Sequence, residues 1–130
     1  MSDDKLLERA RSAVERSYAP YSGYCVGAAL ETADGTVFTG CNVENANYSN
    51  SVHAEELAIS KAVEAGHRSF ERIAVSSDRR DGVTPCGMCR QSLSEFCDAE
   101  LRVLCDGADR ADVYTLGELL PNTISSGHLE

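Results

Sequence analysis

His53-Ala54-Glu55 and Pro85-Cys86-Gly87-Met88-Cys89 are the stretches from which the rest of this 130-residue chain can be read. A histidine and two cysteines supply three borderline or soft ligands, and three protein ligands leave a tetrahedral zinc with one open position. Such a position is where a water becomes a nucleophile near neutral pH. Glu55 stands two residues from His53, within reach of that water without occupying the metal. Taken singly, H-x-E is a common surface accident, and C-x-x-C also occurs as a redox pair or as half of a structural zinc site. Both halves in this order, each opening a helix, point to one zinc site made of His53, Cys86 and Cys89.

Outward from these motifs the pattern reads as alternating helices and strands. Ser2 caps a helix over residues 3–18 with Asp3 and Asp4 in its first turn, ended by Pro20. Two strands, 25–32 and 36–43, flank Asp34-Gly35, which reads as a two-residue hairpin turn placing residue 41 opposite 28. That register speaks against a Cys25–Cys41 bridge. Asn42 and Glu44 share one side of the strand end by the period of two. A second helix, 52–65, is capped by Ser51, carries His53 in its first turn and closes at Gly66. On its wheel Glu55 falls with Val52, Ala58, Ile59 and Ala62, facing inward, whereas Glu56, Ser60 and Glu64 form a solvent row. A carboxyl in apolar surroundings gains proton affinity, which suits a proton shuttle.

Residues 73–76 form a short buried strand. Thr84 then caps a third helix with Pro85 at its first position, so that Cys86 and Cys89 share a face near the positive helix end, which favours thiolates. Arg90 and Gln91 are either polar helix surface or support for the metal ligands. Strands at 101–105 and 113–115 and a last helical turn at 116–120, stopped by Pro121, complete a single domain over residues 1–130.

Composition narrows the partners. The formal net charge is -9, from 21 acidic and 12 basic residues, and only Lys5 and Lys61 are lysines. No basic cluster exists to hold a nucleic acid or an anionic membrane. No apolar run reaches membrane length, and the expectation is a cytoplasmic protein with its six cysteines reduced. Cys25, Cys41, Cys97 and Cys105 lie in or beside apolar segments and read as inert buried thiols.

The whole chain resembles the cytidine deaminases of the small, homotetrameric type. The resemblance runs through Tyr18-Ala19-Pro20-Tyr21-Ser22, Val26-Gly27-Ala28-Ala29-Leu30, Asn42-Val43-Glu44-Asn45-Ala46, both metal motifs with Arg90-Gln91, and Leu119-Leu120-Pro121. It implies an α/β fold, a three-layer α/β/α sandwich around a five-stranded mixed sheet. It also implies zinc-dependent hydrolysis of cytidine and deoxycytidine to uridine and deoxyuridine plus ammonia, in pyrimidine salvage. Carried onto this chain, His53, Cys86 and Cys89 hold the metal and Glu55 moves protons. The Ala54 backbone meets the base carbonyl, Asn42 and Glu44 bind the ribose hydroxyls, and Tyr24 stands where a phenylalanine is usual. Tyr48 would come from a neighbouring subunit. Three positions depart from the small tetrameric pattern: His53 replaces a cysteine, Glu56 an arginine, and Ile124 an aromatic residue. The first two belong together, because one histidine and two thiolates neutralise Zn²⁺ and leave no charge for an arginine to offset.

Three other readings are disfavoured. Deaminases of polynucleotides share the zinc signature but need a cationic surface. In them the last two strands run parallel through a helical crossover. Here residues 107–112 are too few for one, so antiparallel strands are expected. Blasticidin-type deaminases share the fold but are not expected to carry Asn42 and Glu44 as a ribose-reading pair. A structural zinc module would need a fourth protein ligand and would leave Glu55 without a role.

Overall fold

In the computed structural model, which describes residues 1–129, the apolar alternation of the central strand sets the layers. Strand β1 (Val26–Thr32) sends Ala28 and Leu30 to one face of the sheet and Ala29 to the other, all fully buried. On the Ala29 side lies α1 (Asp3–Val14), whose Leu6, Leu7 and Ala10 pack against Ala29, Ala74 and Leu104. On the Ala28 side lie α2 (Ala54–Glu64) and α3 (Gly87–Ser94), over the larger core cluster that includes Ile59, Leu93 and Val103.

The sheet is completed by β2 (Val37–Cys41), β3 (Phe70–Ser77), β4 (Arg102–Cys105) and β5 (Asp112–Thr115), in the order β2-β1-β3-β4-β5. Only β3 and β4 run parallel, joined by a crossover through α3; the other pairs are antiparallel, so the sheet is mixed. The β4–β5 pair is antiparallel as the short connection requires. A single turn, α4 (Leu116–Leu119), follows β5.

Several boundaries differ from the sequence pattern. Helix α1 stops at Val14 because Tyr18 is drawn into a bridge with Val43: its N–H donates to the Asn42 carbonyl, and its own carbonyl accepts from Glu44 N–H. The hairpin is closed by three residues, with Gly27 opposite Cys41 and Ala28 opposite Gly40. The Asp34 carboxylate takes bonds from the Thr32 hydroxyl and from the amide and hydroxyl of Thr36, and Gly35 adopts φ +89° to close the loop. Packing sets this register. A Cβ at Gly40 would stand 2.1 Å from the Ala54 carbonyl oxygen and 2.7 Å from Ala58 N, so only glycine lets α2 press onto β2. All six cysteines are free thiols. Among the described residues no helix is long and apolar enough to cross a membrane.

Candidate metal centre and substrate cavity

Two helices begin at the site, and each is capped by a ligand candidate. His53 is the N-cap of α2 and Cys86 the N-cap of α3, one position outside the helices in which the sequence pattern placed them. Ser51 does not cap α2; its hydroxyl accepts from Asn45 N–H and braces the preceding loop. Thr84 does not cap α3; its hydroxyl accepts from the Arg90 guanidinium. The extended backbone at both caps turns the side chains toward one point, and Cys89, one turn into α3, joins them from below.

His53 Nδ1 lies 3.2 Å from Cys86 Sγ and 3.4 Å from Cys89 Sγ. The three ligand atoms lie within 4.8 Å of one another, and among the described residues this is the only such group of three or more histidine, cysteine or acidic side chains. Tetrahedral bonds of about 2.0–2.1 Å to nitrogen and about 2.3 Å to sulfur put ligand atoms roughly 3.6 Å apart, so the set fits a Zn²⁺ with little movement. Burial first, then the neighbouring Glu55 and Cys86, pushes the Cys89 thiol far above its ordinary range, and a bound divalent metal reverses that preference.

Glu55 is buried, with Oε2 3.7 Å from Cys89 Sγ, and burial raises its proton affinity above that of an ordinary glutamate. Glu56 behaves differently from the solvent row expected of it. Its Oε1 accepts the His53 backbone N–H at 3.0 Å, which ties the start of α2 to its own first turn.

A cavity of about 600 Å³ opens above the ligand set. Asn42, Glu44, Tyr24, Tyr48, Ala54, Glu55, His53 and Cys86 all line it, and Cys89 lies fully buried beside it. The sequence-derived residues therefore meet in one place. Tyr48 lines the cavity of its own chain. The Tyr48–Asn50 turn folds back and sets its ring edge-on to Tyr21, 6.0 Å between centroids. Asn42 accepts from Val26 N–H and donates to the Tyr24 carbonyl, at 2.9 and 2.7 Å. One amide hydrogen and one lone pair remain for a ligand.

Sequence reasoning passed over Tyr21, Ser22, Arg80 and Val83, which also line the cavity. The signal for Ser22 was its place in a loop two residues before Tyr24; its partner Glu44 is remote in sequence. Arg90 and Gln91 turn out to be braces. Arg90 binds the Pro85 and Leu119 carbonyls and Thr84, while Gln91 holds the backbone of Ile124.

Comparison with known proteins agrees with this geometry. Residues 1–105 match the family model described as the cytidine and deoxycytidylate deaminase zinc-binding region. A cytidine deaminase of Sporosarcina psychrophila is 42% identical over 130 residues, covering 99% of this chain and 96% of the relative. One from Halalkalibacterium halodurans is 41% identical over 128 residues, covering 97% and 96%. Among solved structures, the cytidine deaminase of Burkholderia pseudomallei superposes with a TM-score of 0.90 at 42% identity, over 95% of this chain and 100% of the other. That of Mycobacterium tuberculosis gives 0.84 at 35% identity, over 95% and 98%. With the family model matched over residues 1–105 and relatives 42% and 41% identical over nearly the whole chain, the chain belongs to the zinc-binding cytidine and deoxycytidylate deaminase family.

Proposed function

We infer that the chain hydrolyses the 4-amino group of cytidine and deoxycytidine, consuming one water and releasing one ammonia to leave uridine or deoxyuridine. The observation that carries this reading is the meeting, in one cavity, of a three-ligand zinc set, a buried glutamate beside it, and the polar pair Asn42 and Glu44. Zn²⁺ held by His53, Cys86 and Cys89 supplies the Lewis acidity that makes water nucleophilic near neutral pH. Glu55 does the proton work: it takes a proton from the water attacking C4, delivers it to ring N3, and carries the second proton to the departing amine. Burial suits it to hold a proton between those transfers. Ala54 presents its backbone to the base carbonyl, Tyr24 packs against the nucleoside, and Asn42 and Glu44 read the sugar hydroxyls.

The acidic surface favours a free nucleoside over a polynucleotide. Six free cysteines suit a reducing cytoplasm, where the reaction serves pyrimidine salvage. The exposed tyrosines at the cavity rim suit a homotetramer in which neighbouring subunits cover the mouth. The direct test follows the ultraviolet absorbance of cytidine incubated with the purified protein, then with protein stripped by a chelator, then with zinc restored. Loss and return of the spectral change are expected; a change that survives chelation would overturn the zinc reading.

A further inference from the structure

Glu44 is held by more donors than an exposed carboxylate ordinarily collects. Its Oε1 accepts from the backbone N–H groups of Tyr21 and Ser22, both at 3.0 Å, and its Oε2 accepts the Ser22 hydroxyl. The same hydroxyl accepts from Tyr24 N–H at 2.9 Å. The polarity of this chain of bonds is fixed. A carboxylate only accepts and a backbone N–H only donates, so Ser22 spends its single hydrogen on Glu44 and one lone pair on Tyr24. Gly23, at φ +68° and donating to the Ala19 carbonyl, makes the bend that brings Ser22 and Tyr24 to one point. The network continues through the Tyr24 carbonyl to the Asn42 amide. One hydroxyl thus links the carboxylate to the backbone of Tyr24, and that backbone to Asn42.

We propose that Ser22 is a positioning residue for sugar recognition, fixing the Glu44 carboxylate and the Tyr24 backbone so that one lone pair of Glu44 stays available to a sugar hydroxyl. An ionised carboxylate has about four acceptor sites, and three are filled within the loop, leaving one on Oε2. Three converging donors also remove the rotational freedom that an exposed glutamate would otherwise lose on binding substrate. The Ser22 hydroxyl foremost, then its amide, holds Glu44 below the usual carboxylate range, so the group is an acceptor throughout the working pH.

This inference rests on Glu44 reading the sugar, and the experiment separates the two. Steady-state kinetics are measured for Ser22→Ala, Ser22→Thr, Glu44→Gln and the Ser22→Ala/Glu44→Gln pair, on cytidine and on 2′,3′-dideoxycytidine. Ser22→Ala should raise KM for cytidine roughly tenfold, the scale of one hydrogen bond to a charged group. It should change kcat little and scarcely affect the dideoxynucleoside. Ser22→Thr, which keeps the hydroxyl, should recover most of the loss, and Ser22→Ala should add little once Glu44 is already Gln. If Glu44→Gln lowers the preference for the hydroxyl-bearing substrate but Ser22→Ala does not, the positioning role is wrong while the sugar reading stands. If Glu44→Gln leaves that preference unchanged, the sugar reading fails and the role of Ser22 fails with it. Equal losses on both substrates, or independent effects in the pair, would show that Ser22 merely supports the loop and would overturn the proposal.

Discussion

Glu55 and Glu56 are neighbours with separate tasks, and the hydrogen bonds distinguish them. Glu55 is buried against Cys89, and under the proposed mechanism Glu55→Gln should keep size and metal but remove the titrating carrier. General acid–base catalysis is worth on the order of a hundredfold to ten-thousandfold, and a glutamate serving several transfers belongs at the upper end. Cytidine turnover should fall by that amount with zinc content unchanged. Glu56 acts through its oxygen on the His53 backbone. Glu56→Gln retains an acceptor and should keep zinc, whereas Glu56→Leu frees the cap and should cost about 1 kcal/mol of stability with faster zinc release. Thermal melts and chelator competition read both effects. Equal zinc retention in the two variants would show that the Glu56–His53 bond does not help to hold the metal.

At the scale of elements, the ligand set depends on how closely α2 is pressed onto β2. Gly40→Ala forces a Cβ against the backbone at Ala54 and Ala58, and backbone cannot swing aside as a flexible side chain does. The expected result is a loss of about 1–3 kcal/mol or more and weaker zinc binding, since the displaced helix start is next to His53. A melt equal to that of the parent would contradict the packing. On the other face α1 is fastened by charge. Arg102 binds Asp3 through two nitrogens, and Arg72 binds Asp3 and Glu31. The Arg102 bond foremost for Asp3, and the Arg72 bond for Glu31, hold both carboxyls below their ordinary values. With folded pKa values depressed, the contribution is full above the unfolded carboxylate pKa near 4 and is lost as pH falls through the folded values. Acid melts should therefore fall less steeply for Asp3→Asn than for the parent. Arg72→Met, which strands the buried Glu31, should cost about 3 kcal/mol at neutral pH.

The same elements show what sequence could and could not disclose. The inward face of Glu55, the caps at Ser2 and the antiparallel last pair follow from local spacing, and local spacing is legible. The hairpin register was not, because Asp34-Gly35 permits both two-residue and three-residue closures. The choice falls to Asp34 bridging Thr32 and Thr36 and to α2 needing Gly40 on its own face. The starts of α2 and α3 were displaced for a similar reason. Ser51 and Thr84 look like caps, but Asn45 and Arg90 claim their hydroxyls. Ser22 was illegible because its value lies in a partner 22 positions away.

At the scale of the whole molecule, four of the exposed large apolar side chains stand in two touching pairs. Tyr18 and Val43 are joined by a bridge, Tyr21 and Tyr48 meet edge-on at the cavity, and all four are exposed. Exposed aromatic rings at the cavity mouth of a chain of net charge -9 suit the proposed homotetramer once salt screens the repulsion. Light scattering in about 0.15 M salt should give four times the chain mass, with smaller species appearing as salt is withdrawn. Tyr48→Asp places a carboxylate in the rim and should break the assembly and raise KM, whereas Tyr48→Phe keeps the ring and should preserve both. Tyr48 lines the cavity as well as the rim, so the two readouts must move together. A Tyr48→Asp protein that stays tetrameric, or a parent that is a fully active monomer, would show that one chain closes its own site and that the rim serves another purpose.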